Sequence, residues 1–122
     1  MTFYLHEPAT IGRTIFETDC RLFASIMNSE FDSENVDRRL LIMLTTGLLN
    51  RSLNLESYLV AALGQNWNFL HHVHIGQTIS CEYKVELLKE QKKVYEIRIK
   101  LFAESKVVAT GIWTVMLKQL LN

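Results

Sequence analysis

The stretch RRLLIMLTTGLLNRSL, Arg38–Leu53, decides the fold. It is rich in strong helix formers, and between Leu40 and Leu49 apolar side chains surround a helix on nearly all sides. Such a helix has to be wrapped by other structure. Gly47 lies in its middle, where Gly costs about 1 kcal/mol relative to Ala, which indicates a close packing contact or the approach of a ligand.

After this helix the hydrophobic period changes to two. Apolar and polar side chains alternate over residues 79–87 and again over residues 95–101, which predicts two strands with one wet face each. Residues 107–117 are apolar on both faces and rich in β-branched side chains, typical of a strand inside a sheet. Residues 58–69 suit a helix or a strand, and the sequence that follows favours a strand and a tight turn at Gly76 and Gln77.

Before the central helix, residues 12–17 read as a short strand. Thr18 and Asp19 provide an N-cap and a first-turn acid, so a surface helix is expected to begin there and to end near Asn28.

The next segment, SEFDSENVD at residues 29–37, is a polar loop with four carboxylates, here called the acidic loop. We expect Asn35 or Asp37 to cap the central helix. A solvated acidic surface and a functional loop are both compatible with this composition.

This order of elements predicts an α+β protein in which one mainly antiparallel sheet curls around one apolar helix, a hotdog-like arrangement. At 122 residues the chain is expected to form a single domain over residues 1–122.

Charge and composition exclude several classes. The 13 basic and 13 acidic residues balance, which argues against a nucleic-acid partner. The longest apolar run is about half the length that spans a bilayer, and residues 1–8 show no targeting pattern, so no membrane partner and a cytoplasmic location are expected. Cys20 and Cys81 lack metal-ligand spacing and are expected to be free thiols.

Three phrases resemble the MaoC-like hotdog hydratases and dehydratases. They are TDCRLFASIMNSEFDSENVD at residues 18–37, TTGLLNRSL at 45–53 and FLHHVHIGQTI at 69–79. The similarity runs from Gly12 to Leu117 and implies a hotdog fold that handles acyl thioesters of coenzyme A or of a carrier protein.

The resemblance also assigns site residues. Glu30 stands at the family's catalytic Asp, Asn35 at its catalytic His and Asp32 at its Asn, while Thr46 stands where the family has the His before Gly47. It implies that Glu30 and Asn35 are catalytic, that Asp32, Thr46 and Gly47 bind substrate or its oxyanion, and that no cofactor is needed. We expect the acidic loop to face a crevice beside Gly47.

Three functions follow from this resemblance. The first is an enoyl-thioester hydratase or 3-hydroxyacyl-thioester dehydratase with a changed catalytic pair. The second is a non-catalytic acyl-thioester-binding protein or the partner subunit of a dehydratase heterodimer. The third is a hotdog acyl-CoA thioesterase, in which one carboxylate activates water.

The histidines within residues 69–79 suggest a metal site, because alternation places His72 and His74 on one strand face. Two ligands do not complete a zinc site, so no metal is expected and these side chains are interpreted as edge or interface residues. His72 stands where the family has Pro.

An open sheet around one helix leaves a strand edge and part of the helix uncovered. We therefore expect a homodimer, or a heterodimer with a related hotdog chain. The resemblance places the site across that seam.

Overall fold

Five strands and three helices make up residues 9–120, the part of the chain that this computed structural model describes. Residues 1–8, where the sequence shows no targeting pattern, lie outside the described residues. In chain order the elements are β1 (Ala9–Thr14), α1 (Glu17–Ile26), α2 (Arg38–Leu53), α3 (Leu55–Tyr58), β2 (Leu59–Phe69), β3 (Thr78–Lys89), β4 (Val94–Ala103) and β5 (Lys106–Leu117).

The strands form one antiparallel sheet in the order β1-β3-β4-β5-β2. In β3 and β4 buried and more exposed side chains alternate as the sequence predicts, with Cys81 paired to Leu101 and Val85 paired to Ile97 on the dry face. The strand predicted to lie inside the sheet is β5, which has β4 on one side and β2 on the other. This leaves β1 and β2 as the two edges.

The central helix α2 has the predicted bounds and packs its apolar side chains against the dry face of the sheet. Leu41 and Leu49 are at most 1% exposed. Thr45 is also fully buried, and its hydroxyl is satisfied because Oγ1 donates to the carbonyl of Leu41 at 2.7 Å. One side of α2 stays open within the described chain, since Met43 is 58% exposed and Gly47 is also exposed.

Strand β1 begins three residues earlier than predicted, and helix α1 begins one or two residues earlier than predicted. Strand β1 ends at Thr14, and α1 begins at Glu17 with Phe16 as its N-cap residue, rather than at Thr18 or Asp19. Asp19 sets this start, because its carboxylate accepts the backbone N–H of Phe16 at 2.9 Å and the guanidinium of Arg13 at 2.8 Å. Asn28 stops the helix in a left-handed conformation, which Asn adopts readily.

The ambiguous segment at 58–69 is almost entirely the edge strand β2, preceded by the short helix α3. Its sequence, LVAALGQNWNF, carries no charge, and two register shifts interrupt its pairing with β5. The indole of Trp67 lies on Gly111 of β5, where a Cβ atom would come within 2.6 Å of the ring. Only a glycine allows this close approach.

Both cysteines are free and buried. Burial raises the pKa of Cys81 to about 12, so this thiol packs as an apolar group. Within the described residues, no helix is long and apolar enough to cross a membrane.

Candidate functional site

A pocket of about 370 Å³ opens between α1, the acidic loop and the start of α2. We call it the loop pocket. Its apolar wall is formed by Cys20, Phe23, Phe31, Val36 and Leu40. Its polar lining includes Glu30, Asp32, Asn35, Asp37, Arg38 and His72. An apolar wall with a few converging polar groups is the usual form of a small-molecule site.

The acidic loop is shaped by the carboxylate of Asp32. Its Oδ1 accepts the backbone N–H groups of Glu34 at 2.8 Å and of Asn35 at 3.0 Å, which closes a tight turn. The backbone N–H of Asn35, then that of Glu34 and, to a smaller extent, the charge of His72 hold the pKa of Asp32 below its usual range. Asp32 is therefore a charged, fixed group.

A short antiparallel pairing joins the acidic loop to residues 73–75. The backbone N–H of Val36 donates to the carbonyl of Val73 at 2.8 Å, and the N–H of Ile75 donates to the carbonyl of Glu34 at 3.1 Å. Asn35 lies opposite His74 in this bridge. The pairing is what brings His72 to the loop pocket, about forty residues along the chain from Asp32.

The start of α2 is capped by Asp37, one of the two candidates from the sequence. Its Oδ1 accepts the backbone N–H of Arg39 at 2.9 Å, and the Arg39 guanidinium reaches the same carboxylate at 2.8 Å. The hydrogen bond from the Arg39 side chain, more than any other contact, lowers the pKa of Asp37. The chain's own carboxylate thus already occupies this helix N-terminus.

Glu30 and Asn35 differ in how exposed their side chains are. Glu30 is exposed, so its carboxylate is open to water at the pocket rim. Asn35 is half-buried and held by the backbone pairing at His74. Arg38 adds a cation to the rim, with its guanidinium 5.1 Å from the ring centre of Phe69.

Thr46 and Gly47 lie elsewhere, which corrects the expected crevice. They line a groove of about 540 Å³ between α2 and β2, together with Met43, Gln65 and Trp113. We call it the helix–edge groove. Because α2 begins at Arg38, Gly47 lies nine residues, or about 13 Å, further along its axis.

The loop pocket of the same chain therefore does not include Gly47 as an oxyanion donor. The N–H of Gly47 is inside a helix, where such groups bond to the carbonyl four residues earlier. The hydroxyl of Thr46 is likewise used within α2, since Oγ1 donates to the carbonyl of Ile42 at 3.0 Å. The structure brings together Glu30, Asp32 and Asn35 but not these two residues.

The sequence interpretation missed His72 as a member of the loop pocket. The resemblance put it at the family's Pro, and nothing in the local pattern shows the pairing that carries it to the acidic loop. Within residues 9–120, no three His, Cys, Asp or Glu side chains are grouped closely enough to hold a metal ion.

No protein-family model and no curated protein matches the chain. Several solved structures match the chain. An (R)-hydratase from A. caviae involved in PHA biosynthesis superposes with a TM-score of 0.81 at 22% identity, covering 94% of this chain and 97% of that one. An R-hydratase from Pseudomonas aeruginosa in the unliganded form gives 0.76 at 18% identity, over 96% and 83% of the two chains.

A hot-dog-like protein from Thermanaerovibrio acidaminovorans gives a TM-score of 0.70 at 13% identity, covering 96% of this chain and 84% of that one. Identities this low establish the fold and not the chemistry. The sheet order, the central helix and these neighbours together confirm that the chain has the hotdog fold, in the α+β class.

Proposed function

We propose that the chain binds an acyl thioester of coenzyme A or a carrier protein in the loop pocket and hydrates its 2-enoyl form, or dehydrates the 3-hydroxyacyl form. One observation carries the proposal: Glu30 and Asn35, the residues at the family's two catalytic positions, line one pocket. The chain also has the same fold as two solved (R)-hydratases. In this proposal the reaction needs no cofactor and the protein acts in the cytoplasm.

The pocket offers groups for each requirement of the reaction. Its apolar wall, including Phe23 and Phe31, suits an acyl chain. Glu30 at the open rim accepts a proton from the attacking water. The amide of Asn35 and the guanidinium of Arg38 are donors for the thioester carbonyl oxygen, on which negative charge develops.

A second candidate, binding without catalysis, is favoured by the cap of α2. Asp37 places a carboxylate on the helix N-terminus, which removes a donor and disfavours an oxyanion nearby. The chain then binds the acyl thioester or completes the site of a related partner subunit.

One substrate panel separates these functions. Enoyl-CoA and saturated acyl-CoA substrates of several chain lengths are followed for loss of the enoyl double bond and for release of free thiol. The proposal predicts hydration that Glu30→Ala reduces by 100-fold or more, the order expected for loss of a general base. Glu34→Ala removes a neighbouring loop carboxylate outside the pocket lining and is expected to retain activity.

Each remaining outcome favours another function. Binding of acyl-CoA without turnover supports the non-catalytic candidate. Thiol release without hydration supports a thioesterase, which contradicts the proposal.

We further propose a dimer, of two copies or with a related hotdog chain, formed along β2 and α2. Val60 and Leu63 on the β2 edge are 56% and 51% exposed, and Met43 on α2 lies beside the helix–edge groove. Trp113, which also lines the groove, is 6% exposed, and its Nε1–H has no hydrogen-bond partner among the described residues. A second chain covers the apolar surface of Val60, Leu63 and Met43.

A further inference from the structure

Hydration of an enoyl thioester moves two protons, one from water and one to the α-carbon. Glu30 accounts for the first in the proposed function. Asn35 does not account for the second, because an amide neither takes up nor releases a proton in the working range. A second titratable group at the loop pocket would supply this proton without Glu30 having to deliver it as well.

His72 is in the right place for this second proton. It lines the same pocket as Glu30, Asp32 and Asn35. The hydrogen bond between Val36 and Val73 at 2.8 Å fixes the backbone on one side of it. Histidine is also the side chain that exchanges a proton most readily near neutral pH.

Asp32 supplies a carboxylate partner for the imidazole. Two backbone N–H groups hold its Oδ1, and Asp32 and His72 line the same pocket. A fixed carboxylate beside a histidine stabilises the imidazolium and orients the ring. The pocket that has Asn35 at the family's histidine position thus also contains a histidine from another segment.

We propose that His72, supported by Asp32, is the proton donor to the α-carbon in the hydration reaction, with Glu30 as the base. This inference rests on the proposed function and adds a residue to the same site. Asp32 is a positioning residue in this scheme, and His72 is catalytic.

Glu30 takes a proton from water, and the resulting hydroxide oxygen bonds to the β-carbon while the π electrons of the double bond move toward the thioester carbonyl oxygen. The imidazolium of His72 gives its proton to the α-carbon as the carbonyl re-forms. Glu30 then loses a proton to solvent and His72 regains one, so that the net change is addition of one water.

Several ionisable groups line the loop pocket with His72 or lie next to it along the two paired segments. They are Cys20 on α1, Glu30, Asp32, Glu34 and Asp37 on the acidic loop, Arg38 on α2, and His71 and His74 on its own segment. Carboxylates predominate, and Arg38 is the cation that lines the pocket with His72 among the described residues.

The test compares His72→Ala with His71→Ala in the hydration assay. His71 is exposed and adjacent but does not line the pocket, so it is the matched control. We expect kcat to fall by 100-fold or more in His72→Ala and to change less than threefold in His71→Ala. His72→Ala should also change the dependence of kcat on pH, whereas His71→Ala should leave that dependence as in the wild type.

Added imidazole sharpens the readout, because it restores turnover only where a missing imidazole was part of the chemistry. We expect partial rescue of His72→Ala and no effect on His71→Ala. An active wild type with His72→Ala within threefold of it, and with the same pH profile, overturns the inference alone. A wild type without hydration at any chain length overturns the proposed function and this inference with it.

Discussion

Helix α2 has two open regions that differ in chemistry. At its start, the loop pocket gathers Glu30, Asp32, Asp37 and Arg38 with one histidine. At its middle, the helix–edge groove meets an uncharged strand and carries one carboxylate, Glu56, in its lining. Charged groups at one end and an apolar edge at the other are what the proposed substrate site and the proposed dimer seam require.

The largest effect is expected from a charge on the β2 edge. Leu63→Lys places an ammonium on the apolar surface proposed as the dimer seam, and burying it unpaired is costly. We expect light scattering at micromolar concentration to show a dimer for the wild type and a monomer for this variant. Leu22→Lys changes an apolar residue on α1 that is 63% exposed, against 51% for Leu63, and should leave the dimer intact. A monomeric wild type that binds acyl thioester contradicts the proposed dimer along β2 and α2.

A smaller effect is expected where β2 is held to the sheet. In Gly111→Ala the new Cβ meets the Trp67 ring at 2.6–2.8 Å, so the ring or the strand has to shift. We expect a loss of about 1–3 kcal/mol in the free energy of unfolding, measured by urea denaturation. Gly64→Ala on the same edge meets no atom within 4 Å and serves as the control. Equal stability of the two variants means that Trp67 does not pin the edge strand.

Removing the cap tests the charged end of α2. Asp37→Ala leaves the N–H of Arg39 without its acceptor and should cost about 1 kcal/mol. Because the pKa of Asp37 is lowered in the folded state, its contribution is present above the unfolded value, about 3.9, and is lost as pH falls through the folded value.

Denaturation curves at several pH values check this dependence. Asp37→Asn keeps a capping acceptor but not the ion pair with Arg39, so it should retain most of the stability at neutral pH and lose the acid dependence. A stability difference between wild type and Asp37→Ala that grows toward acid contradicts the assignment.

The smallest effect is expected at Gly47. Its Cβ position is open, so Gly47→Ala in the monomeric Leu63→Lys background should raise the free energy of unfolding by roughly 0.5–1 kcal/mol through helix propensity alone. In the wild type the same methyl faces the proposed seam and should weaken the dimer. An unchanged dimer affinity shows that α2 does not approach its partner at Gly47.

Local patterns were sufficient to predict most of the fold. The cap at Asp37 and the dense apolar run fix α2, and strict alternation fixes β3 and β4. The predicted start of α1 was wrong. Asp19 lies inside the helix, and its carboxylate accepts the backbone N–H of Phe16, a contact that residue type alone does not reveal.

The site was predictable only where its residues are neighbours in sequence. Glu30, Asp32 and Asn35 share one loop, so placing the loop placed all three. Gly47 was expected beside the acidic loop because the resemblance groups them in one site, although nine residues of helix separate Gly47 from the start of α2 at Arg38. His72 depends on a long-range backbone pairing, which has no signal in its own segment.

The most direct test of the central claim is to map where an acyl thioester binds. Butyryl-CoA, which has no double bond to hydrate, is titrated into isotope-labelled protein, and the backbone and side-chain NMR signals are followed. The account predicts shifts in residues 29–38 and in the ring of His72, with the indole N–H of Trp113 unchanged. Shifts confined to Trp113, Thr46, Gly47 and Asn50 would place the ligand in the helix–edge groove and contradict the assignment of the loop pocket as the site.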